Sequence, residues 1–228
     1  MRYDLIALAV AFLAILIWMY RRDRARVRAA RGGFFAGSLD LFQSYRVTQD
    51  GPDMPVLVGR YRDREFRIEP IIDHINLRKL PSLWLLVTLR APLPYPGTLD
   101  LLVRPQNTEF YSPSAQLPVA IDPPPGWPVH AALRTDRPEA MPPASVLEEH
   151  LDFFDDPRAK ELLVTPRGIR LVYQAAQAQR SHYLVLRQAE FEDLSLDPDL
   201  LKDLMDRAIA LHDSLANADE SQPAAAAA

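Results

Sequence analysis

Residues 5–20, LIALAVAFLAILIWMY, form an unbroken apolar run with no charge and no proline, and RRDRARVR follows directly. As a helix this run is about 24 Å long, slightly short of the ~30 Å hydrocarbon core of a bilayer. Its flanks supply the difference. Tyr3, Trp18 and Tyr20 favour the interface, and the stems of Arg21 and Arg22 let their guanidinium groups snorkel to the headgroups. A cleaved export signal needs a strongly basic start and small residues after its apolar core. Here Arg2 is offset by Asp4 and the core ends in Trp18-Met19-Tyr20. The pattern predicts a retained single transmembrane helix, with Trp18, Tyr20, Arg21 and Arg22 at the membrane interface.

Orientation follows from charge. Arg21, Arg22, Arg24, Arg26, Arg28 and Arg31 crowd the C-terminal side of the run, against Arg2 and the α-amino group on the other. The positive-inside bias then places the N-terminus outside and the main domain in the cytoplasm of a bacterium, anchored in the inner membrane. The same arginines meet the anionic leaflet, so the lipid bilayer is the first expected partner. Nucleic acid is a poor second, because the membrane already accounts for the cluster and the whole chain carries a net charge of -4.

About 180 residues remain, enough for one core of ordinary size. With no cysteine, disulfides, thiol nucleophiles and thiolate metal sites are excluded. Arginine outnumbers lysine 23 to 3, but spread along the chain with no second dense patch.

MPVLVGRY (54–61) and EFRIEPIID (65–73) read as a β-hairpin through Arg62-Asp63-Arg64. LWLLVTLRAPL (83–93), TLDLLVRP (98–105) and VHAALRTD (129–136) read as further strands. Seven prolines between 105 and 128 interrupt regular structure. Ser145 with Glu148 has capping-box spacing, while Asp156-Pro157 and Thr165-Pro166 have the form of helix starts, ahead of RAKELLV and RGIRLVYQAAQAQ. HYLVLRQAEFED (182–193) is strand-like. Asp197-Pro198 opens a final helix in which Leu201, Leu204, Met205, Ala208, Leu211 and Leu215 recur at three-to-four spacing.

The expected fold class is α+β: an N-terminal transmembrane helix, then a mixed or antiparallel sheet packed with C-terminal helices. The expected boundaries are 1–31 for the anchor and basic juxtamembrane segment, 32–217 for the cytoplasmic domain and 218–228 for a disordered tail. Within the domain there is room for two lobes, 54–104 and 129–217, joined by the proline-rich connection 105–128. In the entry segment, Phe34, Phe35, Leu39, Leu41 and Phe42 have two options, packing on the domain or lying at the membrane surface.

The order GRYRDREFRIE, LRAPLPYPGTLDLLVRP, DDPRAKELLVTPRGIRLVY, HYLVLR and a closing amphipathic helix resembles a group of bacterial membrane-anchored domains without established activity. The likeness spans roughly residues 56–215 and implies an α+β layout. It departs where Asp63 replaces a glycine of the hairpin turn and where the insert 105–128 is longer. The resemblance carries no catalytic residue, so none is assigned.

Histidines 74, 130, 150, 182 and 212 lie in five segments with no metal-ligand spacing. The acidic group Glu148, Glu149, His150, Asp152, Asp155 and Asp156 has oxygen ligands for a divalent ion but reads first as a solvated helix face. No nucleophile elbow or phosphate loop is present. No cofactor and no metal site are expected, and catalytic residues stay unknown. Two stretches are candidates for interaction. Arg60, Arg62, Arg64 and Arg67 alternate with Tyr61, Phe66 and Ile68, as a basic face opposite an apolar one. Phe110, Tyr111 and Trp127 sit among prolines as rigid aromatic anchors. The reading that absorbs most of these features is an assembly, scaffold or interaction module that engages another membrane protein or complex. A membrane-tethered enzyme with a non-local active site and a ligand-binding sensor domain are the alternatives.

Overall fold

Alternating runs build the first hairpin of this chain, and near-continuous apolar runs build the central strands. The computed structural model describes residues 2–73, 80–105, 109–178, 191 and 194–220. Helix α1 (Arg2–Gly32) leads through a 3-10 segment, Ala36–Leu41, into strands β1 (Ser44–Thr48), β2 (Val56–Tyr61), β3 (Arg64–Ile72) and β4 (Ser82–Arg90). Strands β5 (Leu99–Val103), β6 (Val119–Ile121) and β7 (Ala131–Thr135) follow, then short helix α2 (Ala144–Glu148) and strands β8 (Ala159–Thr165) and β9 (Gly168–Gln177). Helix α3 (Pro198–Glu220) closes the fold. The nine strands form one antiparallel sheet in the order β1-β2-β3-β4-β9-β8-β5-β7-β6. The chain is therefore α+β, and strands from 54–104 and from 129–177 lie side by side in that one sheet.

Helix α3 packs over β4 and β9 at the middle of the sheet. Its stripe Leu201, Leu204, Met205, Ala208, Leu211 and Leu215 is buried throughout, as the three-to-four spacing predicts. It meets Leu85, Val87 and Leu89 of β4 and Ile169, Leu171 and Tyr173 of β9 in one continuous core. Polar bonds fix its position. Tyr61 Oη donates to Asp206 Oδ1 at 2.9 Å, Tyr95 Oη to the Leu215 carbonyl at 3.2 Å, and Arg64 Nη1 to His212 Nδ1 at 2.9 Å. With Nδ1 accepting from Arg64, the ring proton sits on Nε2, 3.1 Å from the Pro92 carbonyl.

The two proline devices at 156–157 and 165–166 do not start helices. RAKELLV belongs to β8 and RGIRLVY to β9. The Asp156 and Thr165 side chains do accept backbone bonds, from Arg158 N at 2.8 Å and Arg167 N at 3.2 Å. Those bonds close turns that feed a hairpin instead. Buried residues on both faces of β8 and β9 then favour pairing over a helix that has only one face to cover. Gly168 makes the corner possible: at φ 143° its backbone passes so close to β4 that a Cβ would lie 2.0 Å from the Leu89 carbonyl oxygen. Likewise Ser145 does not cap α2, since the helix begins one residue earlier behind Pro143. The strand read at 182–193, His74 and the tail from 221 lie outside the described residues or nearly so, with Phe191 alone described.

Phe34 and Phe35 settle into the core at 1 % exposure each, joined by Phe42 and flanked by Leu39 and Leu41. Of the two options for the entry segment, packing on the domain is the one observed.

The core position of the α3 stripe gives the first prediction. Leu204→Ala leaves a cavity against β4 and β9 and lowers the unfolding free energy by about 2 to 5 kcal/mol in urea titrations. A change below about 1 kcal/mol would show that the stripe does not hold the sheet.

Candidate functional site

The register of the hairpin decides where its arginines go. Arg62 (φ 46°) and Asp63 (φ 61°) both take the left-handed conformation, giving the tight turn for which glycine or asparagine is the usual choice. Opposite residues share a face, so Arg64 lies beside Tyr61 on the α3 side, while Arg60 lies beside Glu65 and Arg67 beside Val58 on the other. Arg62 reaches Asp206 at 3.1 Å and Arg64 reaches Asp213 at 2.6 Å, both on α3. Arg60 pairs with Asp63 at 3.6 Å and Arg67 with Glu69 at 2.9 Å. Two of the four thus fasten the closing helix, and two belong to the opposite face of the sheet.

That opposite face is the less expected part of the molecule. One row across it reads Arg46, Val58, Arg67, Thr88, Arg170, Leu163, Asp100, Arg134. The next reads Glu69, Leu86, Val172, Glu161, Leu102. A strap around residues 109–117 covers its centre. Tyr111 is buried against Trp84, with ring centroids 5.3 Å apart, and with Leu86 and Val172 forms a small second apolar cluster. Phe110 beside it stays exposed. Trp127 belongs to the main core, and its Nε1 donates to Glu148 at 3.2 Å.

Under the strap lie two carboxyl groups, Asp100 and Glu161, both at 0 % exposure. Ser112 Oγ donates to Asp100 Oδ2 at 3.2 Å, and Ser112 Oγ in turn accepts from Ser114 N at 3.1 Å. Arg170 Nη2 donates to the Tyr111 carbonyl at 3.1 Å and lies 3.5 Å from Glu161 Oε2. Asp100 Oδ1 and both Glu161 oxygens have no hydrogen-bond partner within distance. Burial raises the pKa of both groups, and proximity to Asp100 adds to the rise at Glu161, which is pushed up to about 8 against the opposing pull of Arg170. With both groups raised, the two carboxyls favour keeping a proton between them at neutral pH. This arrangement stores a proton and pins the strap; sealed from solvent, it presents no carboxylate to a solute.

A polar cavity of about 280 Å³ adjoins the strap. Its wall includes the buried pair Lys160 and Glu109, 3.0 Å apart, with Trp84 beneath Lys160 at 6.0 Å and Gln174 bonded to Ser82 at 2.8 Å. Asp100 and Glu161 do not line it. The acidic group near 150 diverges: Glu148 goes to Trp127, Asp152 to Arg207 at 2.8 Å, and Asp156 to Arg158 and Tyr173. Partial burial raises the Asp156 pKa, but the bonds from Arg158 and Tyr173 outweigh it and hold the group at about 2. His150 Nε2 lies 3.1 Å from Ser214 Oγ on α3. Among the described residues no three His, Asp or Glu side chains are grouped to hold a metal ion.

The residues expected at a membrane interface pair along α1. Arg22 lies over the Trp18 ring at 5.3 Å and Arg24 over Tyr20 at 5.6 Å, each one turn on. Arg21 is exposed beside them. Reading the sequence for motifs missed the acid pair, although a signal was there: one carboxylate inside LDLLV and one inside AKELLV, each at a position that a covered strand buries.

The acid pair generates a prediction with a definite sign. Unfolded Glu161 releases its proton near pH 4.5, whereas the folded protein keeps it to about 8. Its contribution is therefore fully present below pH 4.5 and is lost as pH rises to about 8, a decline on the order of a few kcal/mol. Glu161→Gln cannot ionise. Its stability, from urea unfolding at pH 5 to 8.5, should exceed that of the native protein by a margin that widens with pH, and parallel profiles would contradict the buried proton.

No protein-family model and no curated protein sequence matches the chain. Among solved structures, that of the mycobacterial trehalose monomycolate transport factor A is similar at 9 % identity, covering 86 % of this chain and 93 % of that one, with a TM-score of 0.36. A likeness of that size transfers neither fold nor activity.

Proposed function

We propose that the chain is a bitopic inner-membrane protein whose α+β domain lies in the cytoplasm and serves as an assembly or interaction module for another membrane component. One observation carries this reading. The apolar part of α1 has none of its span buried against the domain, while the turn that directly follows the helix enters the domain core through Phe34 and Phe35. A soluble helix of that hydropathy would be covered. This one is left for another solvent, and a bilayer is the solvent that its length and composition fit.

The arginine asymmetry supports the orientation, because six arginines follow the span and one precedes it. Arg22 and Arg24 stacking on Trp18 and Tyr20 brings aromatic ring and cation together, a pairing suited to headgroup depth. On the domain, the open face of the sheet supports the interaction role: Arg46 and Arg60 are exposed near the edge strand, and Phe110 stands exposed on the strap. Tyr111 and Trp127 hold the strap and the core, so of the three aromatic candidates Phe110 is the one placed to touch a partner. A polar cleft holding a carboxyl of shifted pKa would favour the enzyme alternative, whereas the two carboxyls that burial raises are sealed beneath the strap.

Three measurements test the proposal. The full-length protein should remain in the membrane pellet through alkaline carbonate extraction, and an alkaline phosphatase fusion after Ala216 should be inactive while a cytoplasm-active reporter at the same site is active. Recovery in the soluble fraction would overturn the anchor, and phosphatase activity would overturn the orientation. Pull-down in mild detergent should then retain a membrane partner that is lost on Phe110→Asp, with the domain still folded.

A further inference from the structure

We infer that α1 is not a tether but a rigid strut, which fixes both the height and the rotational setting of the domain above the bilayer; this rests on the membrane reading of α1. The helix continues without a break from the apolar span to Gly32. From Tyr20 to Arg31 that is about 16 Å of helix beyond the apolar run. A flexible linker would begin with glycine, serine or proline soon after the span. Instead the last three turns of the helix are gripped by the domain.

The grip has two parts. The first is the loop between β1 and β2. Gln49 Nε2 donates to the Arg28 carbonyl near the end of α1 at 3.1 Å and to the Asp53 carbonyl at 2.9 Å. Arg31 Nη1 donates to the Pro52 carbonyl at 2.8 Å. Gly51, left-handed at φ 50°, comes so near Arg24 that a Cβ would lie 2.7 Å from its guanidinium. One loop thus touches the helix at three successive turns. The second part is the plug that follows at once. Phe34 and Phe35 stack edge to face with centroids 5.0 Å apart inside the main core. Leu196 N donates to the Phe34 carbonyl at 2.9 Å, and Ser38 Oγ to the Leu196 carbonyl at 3.1 Å, tying the segment to the entry of α3. Rotation of α1 about its axis would have to break the loop contacts, and tilting it would have to draw two phenylalanines from the core.

The chain has no cysteine, so spin labels can be placed singly on the full-length protein. Label pairs at Ala25→Cys with Ala120→Cys, on exposed positions of stalk and far sheet edge, read the junction by pulsed electron resonance in lipid nanodiscs. A pair at Ala120→Cys with Lys202→Cys reads the domain alone. The strut predicts distance distributions of similar width for both pairs. A variant carrying Arg31→Ala, Gln49→Ala and a Gly-Ser-Gly-Ser insertion after Gly33 should broaden the first distribution at least twofold and leave the second unchanged. A native junction as broad as the variant, or a variant as narrow as the native protein, overturns the strut. Flotation of the same samples with liposomes reports the membrane reading separately: a narrow junction in a protein that does not float would overturn the anchor and not the rigid join.

Discussion

One helix has to cover one face of a nine-strand sheet, and it is too narrow to do so. Nine strands span about 38 Å across, whereas a helix with its side chains is about 10 to 12 Å wide. Helix α3 accordingly shields the middle, over β4 and β9, and leaves apolar residues on either side in need of cover. Phe34, Phe35 and Phe42 fill one flank from the N-terminal segment, and Trp127, Leu147, Phe153 and Phe154 join the same core from the irregular stretch before β8. The deficit of the closing helix is what draws the entry segment into the core. With it comes the end of α1.

The same constraint explains how much could be read from the sequence. The α3 stripe was legible because a helix with one covered face shows its period cleanly, and the hairpin β2–β3 because its polar residues are on a face left largely open. Strands β8 and β9 were not. Both are buried on both sides, so LLV and LVY carry no alternation, and only the local signals Asp-Pro and Thr-Pro remained. Those signals describe a turn accurately, but the next element is chosen by its neighbours: β4 and β5 offer edges that a helix could not have satisfied.

Side-chain direction was lost at the same level. Alternation along RYRDREFR puts every second residue on one face only if the count is unbroken, and the left-handed pair Arg62-Asp63 breaks it. Past the turn, Arg64 faces with Tyr61 instead of with Arg60. The basic face is nonetheless present, assembled from Arg46, Arg60, Arg67 and Arg170 on four different strands. No single stretch of sequence contains it. The pair Asp100 and Glu161 is hidden for the same reason, since the two groups lie 61 positions apart and only strand order brings them under one strap.

A rigid join and a membrane anchor act on different terms of an association. Confinement to the bilayer raises the effective concentration of any partner in the same membrane, whatever the linker. Freedom of the domain on that anchor then sets how much orientational entropy must be given up when two surfaces meet. In the strut we infer, contacts at Gln49, Arg31, Phe34 and Phe35 would remove much of that freedom on folding. A partner in the same membrane would gain by such an arrangement and a soluble one would not. The selectivity such a strut would create needs no strong contact on the domain surface, which accords with a face on which Arg60, Arg67 and Arg90 pair with carboxylates and Phe110 is the exposed aromatic among the described residues.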